Sequence, residues 1–255
     1  MAKATSGNKH IAVIGAGHMG SALVEGLVRS GIRRSAISVG TRGASTRSAV
    51  QHAHVVFIAV KPTVVGTVLS EVKNGLKGKA VISVAAGVTL SYLKKHVGYG
   101  TRIARIMPNL PVAVGKGVIG FMRGNLSASE TKMVFALLKG LGVVIETKTD
   151  RELDALTVIA GCGPGLVASF VEALSKNAAR MGLKGFRSEE VAFQIFKGTL
   201  EYMQANLISA ATLKKAVATK GGVTEAILKD LEKGFGKNLA HALDVGRKRI
   251  RKIRR

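Results

Sequence analysis

The stretch Lys220-Gly221-Gly222-Val223-Thr224 interrupts a region otherwise written in helix formers. A glycine pair entering a helix exposes several backbone N–H groups, which suit an anion. Lys220 adds a positive charge and Thr224 a hydroxyl that can orient a group or relay a proton. A plainer reading is a loop whose threonine caps the following helix. From the residues alone, the capping reading is preferred.

A second group is Gly15-Ala16-Gly17-His18-Met19-Gly20. It follows the apolar run H-I-A-V-I at 10–14 and opens S-A-L-V-E-G-L-V-R-S at 21–30, which carries helical spacing. In that setting Gly15 permits a tight turn, Gly17 admits a pyrophosphate close to the backbone, and Gly20 lets helix and strand pack closely. The helix start offers phosphate a positive dipole end. NAD sites place an acidic residue about 20 residues further on. Here the chain reads Gly40-Thr41-Arg42-Gly43-Ala44-Ser45-Thr46-Arg47, with no carboxylate. Arg42, with Thr41 and Arg47, could hold a 2′-phosphate. The competing reading is an ordinary basic loop. The residues lean to NADP, with NADH as the second choice.

Three further motifs follow, the first two after expected strands, where open α/β sheets bind ligands. Ala59-Val60-Lys61-Pro62 could flank a cofactor or merely end a strand. In Arg105-Ile106-Met107-Pro108-Asn109-Leu110-Pro111, two prolines stiffen a loop. Asn109 could orient a nicotinamide there, or belong to a rigid turn. Gly161-Cys162-Gly163-Pro164-Gly165, preceded by Asp154-Ala155-Leu156-Thr157, allows close backbone approach at a helix start. Cys162 lacks an obvious His partner and reads as a small packing or lining residue.

The elements that must position these motifs change character along the chain. Strands are expected near 10–14, 37–39, 55–60, 80–85, 101–107 and 118–122, with a helix over 64–76. Their alternation with helices implies a parallel sheet covered on both faces. Beyond residue 127 helical spacing prevails, apart from G-V-V-I-E at 142–146. Segments 164–182, 188–206 and 223–244 read as long helices. A domain boundary is placed near 148, giving 1–148 and 149–255. Helices this apolar in so short a domain often complete their core across a subunit interface.

Composition narrows the classes further. The 255 residues are 47% hydrophobic, enough for a sizeable core. No apolar run is read as long enough to cross a bilayer. The opening MAKATSGNKH lacks the apolar core of a signal peptide. A single cysteine excludes an internal disulfide framework and fits a reducing cytoplasm. Six histidines and that cysteine show no metal-ligand spacing, so no metal is expected. The net charge of +24 implies anionic partners. Its densest cluster is G-R-K-R-I-R-K-I-R-R at 246–255. Nucleic-acid binding is the less favoured reading, because aromatics are 4% and tryptophan is absent.

Taken in order, I-G-A-G-H-M-G, A-V-K-P, A-A-G-V-T at 85–89, M-P-N-L-P, D-A-L-T-V-I-A-G-C-G-P and K-G-G-V-T-E-A-I-L resemble the pyrroline-5-carboxylate reductase family. The resemblance spans nearly the whole chain. It implies an α/β fold: a Rossmann-type doubly wound sheet followed by an all-α dimerisation domain, sometimes in higher oligomers. It implies reduction of 1-pyrroline-5-carboxylate to L-proline by NADPH or NADH. Thr219, Gly221 and Gly222 match positions that grip the substrate carboxylate, and Thr224 matches the threonine at the ring nitrogen.

The chain also departs from the family pattern. Lys220 stands where proline is usual, and Val223 where another threonine is common. Ala160, Cys162 and Leu166 replace serine, serine and tyrosine. Only twelve residues separate Arg42 from Val55, where the family has a helix and a further strand. The sheet is therefore expected to be shortened between its second and third strands. Two other functions stay in view: a reductase of another cyclic imino acid, and a reductase-like, non-catalytic nucleic-acid-binding protein.

Overall fold

Short runs of β-branched residues bounded by glycines and turns build the sheet. The computed structural model describes residues 9–183 and 186–254. The polar opening segment, up to residue 8, and Arg255 of the basic cluster lie outside the described residues. The strands are β1 (Ile11–Ile14), β2 (Ile37–Gly40), β3 (Val55–Ile58), β4 (Ala80–Ser83), β5 (Arg102–Pro108), β6 (Gly117–Met122) and β7 (Gly142–Glu146). Helices α1 (His18–Arg29), α2 (Ala44–Gln51), α3 (Val65–Val72), α4 (Leu90–His96), α5 (Ala128–Lys139) and α6 (Asp150–Leu156) accompany them.

One seven-stranded sheet results, ordered β2-β1-β3-β4-β5-β6-β7. Strands β1 to β5 are parallel, as expected. The sheet is not parallel throughout, because β6 pairs antiparallel with β5 and β7 then runs parallel to β6. The cause is connection length. Residues 109–116 form only a 3₁₀ turn at Leu110–Val114, too short for the crossover that a parallel return needs.

Side-chain alternation divides the core into two layers. Ile11, Val13, Val55, Phe57 and Ile82 face α1 and α5 through Leu23, Leu27, Val134 and Leu138. Ala12, Ile14, Val56, Ile58 and Val81 face α2, α3 and α4 through Val50, Val65, Leu69 and Leu93. Each buried valine, leucine, isoleucine or phenylalanine among them contributes about 1.5–3 kcal/mol. Both layers hold the strand ends at fixed heights, which is what a ligand site there requires.

The region between Arg42 and Val55 corrects one expectation. It is not a bare basic loop: Gly43, at φ 52°, turns the chain into α2, which packs Thr46, Ala49 and Val50 inward. A helix is retained, and no further strand occurs there. The helix expected over 64–76 is shorter, with 3₁₀ turns at Pro62–Val64 and Lys73–Gly75 on either side of α3.

After α6 a π-helical turn covers Thr157–Gly161, followed by α7 (Gly163–Arg180), α8 (Phe186–Ala205), α9 (Ala210–Val217), α10 (Val223–Leu231) and α11 (Phe235–Ile253). The helix expected over 223–244 is broken at residues 232–234, where Gly234 carries a poor helix propensity. By contacts the chain forms two compact units. One runs to Pro164 and takes back Gly246 onward; the other is Gly165–Val245. The first unit keeps α6 because Leu153 packs with Met107 and Met122.

The second unit is helical and thinly cored. Among its described residues only Val171, Ser188 and Ala192 are buried, while Val167, Phe170, Phe193, Ile195, Leu200 and Ile227 are exposed. The helical run Asp150–Arg180, at mean hydropathy 1.5, is long and apolar enough to cross a bilayer by length and composition. That corrects the reading that no run approaches this length.

Candidate functional site

Two sites are built, one in each unit. The first lies at the C-terminal ends of β1, β3, β4 and β5. Chain order reverses there, since β2 lies on one side of β1 and β3 on the other. A cleft of about 1000 Å³ opens at that point, lined by Gly17, His18, Met19 and Ala59-Val60-Lys61-Pro62. Its far side is Val84-Ala85-Ala86 after β4 and Met107-Pro108 at the end of β5.

Each glycine of the loop has a distinct physical reason. Gly15 holds φ 111°, and a Cβ there would lie 2.4 Å from the Ala59 carbonyl oxygen. A Cβ on Gly20 would lie 1.9 Å from the Gly15 carbonyl oxygen. A Cβ on Gly17 would meet nothing within 4 Å. Gly15 and Gly20 therefore serve the protein's own packing, while Gly17 is open toward a ligand. Gly17 is also the N-cap of α1, with no side-chain cap and no acidic residue in the first turn. The exposed amides and dipole of α1 are thus left for an external anion. These residues fit a dinucleotide pyrophosphate.

Backbone hydrogen bonds register the flanking motifs against this loop. Gly15 N–H donates to the Gly40 carbonyl at 2.8 Å, so Thr41 and Arg42 leave β2 directly beside the turn. Ala59 N–H donates to the Ile14 carbonyl at 2.7 Å, which sets Ala59–Pro62 on the other side. Thr41 and Arg42 are exposed, and Arg42 makes no ion pair among the described residues. Arg47 instead pairs with Glu71 at 3.3 Å. Of the two arginines after β2, Arg42 is the one left for a phosphate.

Asn109 does not line the cleft. It is buried, its Oδ1 accepts from Val118 N–H at 2.9 Å, and its Nδ2 donates to the Ala160 carbonyl at 3.0 Å. It ties the loop after β5 to the π-helical turn, where widened backbone leaves carbonyls to be satisfied. Cys162 is exposed, so of its two expected places it does not take the packing one.

The second site is the entry to α10. Gly221 has φ 74°, a conformation glycine accepts readily. Gly222 is the N-cap, and a Cβ on it would lie 2.5 Å from Thr219 Oγ1. Thr224 is therefore the second residue of the helix and not its cap. It is half-buried, and its hydroxyl forms no hydrogen bond among the described residues. Thr219 and Lys220 are exposed beside it.

One residue here was not anticipated. Gly221 N–H donates to Glu225 Oε2 at 2.8 Å, and Glu225 Oε1 pairs with Lys229 at 3.1 Å. The Gly221 amide first, and Lys229 second, hold the Glu225 carboxyl below its ordinary pKa. Glu225 thus occupies a donor that a substrate carboxylate would otherwise take. The E following V-T in the motif was visible, but nothing in spacing alone marks it as turning back. The alanines 85 and 86 and Met107-Pro108 were visible too, within quoted motifs, but their place on the cleft wall depends on the sheet order.

A cleft at the switch point of a mostly parallel sheet, with a glycine loop that fits a dinucleotide pyrophosphate, is the architecture of a dinucleotide-dependent oxidoreductase. Comparison with known proteins makes this specific. Residues 150–253 match the family model for pyrroline-5-carboxylate reductase dimerisation, and residues 10–87 match that for NADP oxidoreductase, coenzyme F420-dependent. Pyrroline-5-carboxylate reductase 3 of Xenopus laevis is 32% identical over 93% of this chain and 96% of its own. The reductase of Corynebacterium melassecola is 30% identical over 87% and 90%. The NADP-bound pyrroline carboxylate reductase of Plasmodium falciparum superposes with a TM-score of 0.89 at 27% identity, covering 96% of this chain and 98% of that one. The Coxiella burnetii reductase gives 0.86 at 27%, covering 98% and 100%. The chain belongs to the pyrroline-5-carboxylate reductase family.

Proposed function

We propose that this protein reduces 1-pyrroline-5-carboxylate to L-proline, the last step of proline synthesis. The observation that carries this reading is the α10 entry, where a Thr224 hydroxyl with no hydrogen bond among the described residues stands beside a Gly-Gly turn. NADPH, when bound, supplies the hydride that adds to the imine carbon. The protein's residues do the rest. Gly17 and the start of α1 take the pyrophosphate, and Ala59–Pro62 and Val84–Ala86 wall the cofactor. Gly221, Gly222, Thr219 and Lys220 take the substrate carboxylate, displacing Glu225 from the Gly221 amide. The Thr224 hydroxyl orients the ring nitrogen, which must carry a proton as it becomes an amine. Holding imine and nicotinamide in register supplies much of the acceleration.

Arg42 selects the cofactor. A charge-assisted hydrogen bond to the 2′-phosphate contributes about 1.5–3 kcal/mol. Arg42→Asp is expected to move the NADPH/NADH ratio of kcat/KM by at least about tenfold toward NADH. An unchanged ratio would assign the phosphate to another group.

The working form is a homodimer through the C-terminal helices. The support is the thinly cored second unit, whose exposed Val167, Phe170, Leu200 and Ile227 need a partner surface. The apolar helical run 150–180 is read the same way, as protein-facing. The single exposed cysteine agrees with a cytoplasmic setting. Sedimentation of the purified protein tests the dimer, and a monomer at micromolar concentration contradicts it. The activity is tested by following NADPH oxidation with 1-pyrroline-5-carboxylate, and with the six-membered imino acid in parallel. Faster turnover of the larger ring would reassign the substrate.

A further inference from the structure

Four charged side chains from three parts of the first unit meet around the loop that follows β4. Arg105, on β5, is 1% exposed and forms an ion pair with Asp150, the first residue of α6. Its Nε and Nη2 have no hydrogen-bond partner among the described residues. One turn further along α6, buried Asp154 pairs with Arg254, the last described residue, and its Oδ1 has no partner among the described residues. Burial lowers the Arg105 pKa, opposed by Asp150 and then Asp154. Buried charges with unsatisfied atoms are a poor way to add stability. Their placement is more informative than their energy.

Every arm of the cluster ends on the same loop. Asp150 Oδ1 also accepts from Leu90 N–H at 3.4 Å, where α4 begins. Ala86 and Leu90 pack against Met107, Met122 and Leu153. At Gly87, with φ 69°, an added Cβ would lie 3.1 Å from the Ile253 side chain and 3.4 Å from Arg254 N. The end of the chain is therefore seated on Gly87. Just before Gly87, Val84-Ala85-Ala86 form the cleft wall opposite the glycine loop. With the pyrophosphate at Gly17 and the adenosine toward β2, this wall faces the nicotinamide half.

We propose that Ile253 and Arg254 are positioning residues, clamping the loop 84–89 in its cofactor-binding shape through the Arg254–Asp154 pair and the seat on Gly87. The proposal rests on the cleft being the NADPH site. It gives the last basic residue of the described tail a task inside the fold.

The test compares full-length protein with Arg254→Gln, Arg254→Lys, Ile253→Ala and a chain ending at Lys252. Two readouts are needed: NADPH affinity by fluorescence titration, and amide hydrogen exchange of residues 84–89. Arg254→Gln and the truncation should weaken NADPH about five- to tenfold and speed exchange in 84–89, with β1 and α1 unchanged. Arg254→Lys should restore most of both. Ile253→Ala leaves the Arg254–Asp154 pair in place but removes the side chain seated on Gly87, and should reproduce the effect. Unchanged exchange in 84–89 after truncation overturns the clamp, as does faster exchange spread evenly over the sheet. Failure of the unaltered protein to bind NADPH would reject the cofactor reading instead, and the exchange readout would still judge the clamp.

Discussion

Replacing Thr224 by alanine should lower kcat/KM for 1-pyrroline-5-carboxylate by about a hundredfold, the low end of what a positioned proton-handling group contributes. The fall should lie mainly in kcat, because the ring nitrogen changes its protonation as the reaction proceeds. Stability should change by no more than about 0.5 kcal/mol, since Thr224 is half-buried and its hydroxyl bonds to nothing described. Thr224→Ser keeps a hydroxyl and should keep most of the rate. A capping role makes the opposite forecast: a loss of about 1 kcal/mol of stability and little loss of turnover. That role is already taken by Gly222. Steady-state kinetics and thermal melts on the same preparations separate the two.

A comparable effect is expected at the nucleotide loop, where two glycines should respond in different ways. Gly17→Ala adds a methyl into open space at an ordinary φ of −76°. The protein should fold with its Tm nearly unchanged, yet NADPH binding should weaken by about tenfold or more, because the methyl stands where the pyrophosphate must approach the backbone. Gly20→Ala meets the Gly15 carbonyl at 1.9 Å. It should cost about 1–3 kcal/mol of stability through overpacking, and lose binding as a consequence of the displaced helix. If Gly17→Ala bound NADPH as tightly as the unaltered protein, the glycine loop would be structural only.

Much of this was legible in the residues. The glycine loop, Ala59–Pro62 after β3 and the Gly-Gly entry to α10 are local patterns with local causes, each found at the element end that its spacing implies. Asn109 illustrates the limit. Its position in a stiff loop was visible, but its two hydrogen bonds run to Val118 and Ala160, which only the folded chain brings together. The reversed direction of β6 was missed because periodicity reports a strand and not its partner. Helix α2 was missed because A-S-T-R-S-A-V-Q has weak helix formers and a basic, polar face. Its three inward residues gain their helical preference from packing, which a single window does not contain. The Arg254–Asp154 pair joins residues 100 positions apart, beyond any reading of spacing.

The most direct measurement is NADPH oxidation by the purified protein on adding 1-pyrroline-5-carboxylate, with NADH in parallel and Thr224→Ala beside it. Turnover that yields proline, favours NADPH and collapses in the variant is the expected result. No turnover with either cofactor, from a folded protein of dimeric mass, would contradict the proposed reaction and leave the cleft and the α10 entry serving another substrate.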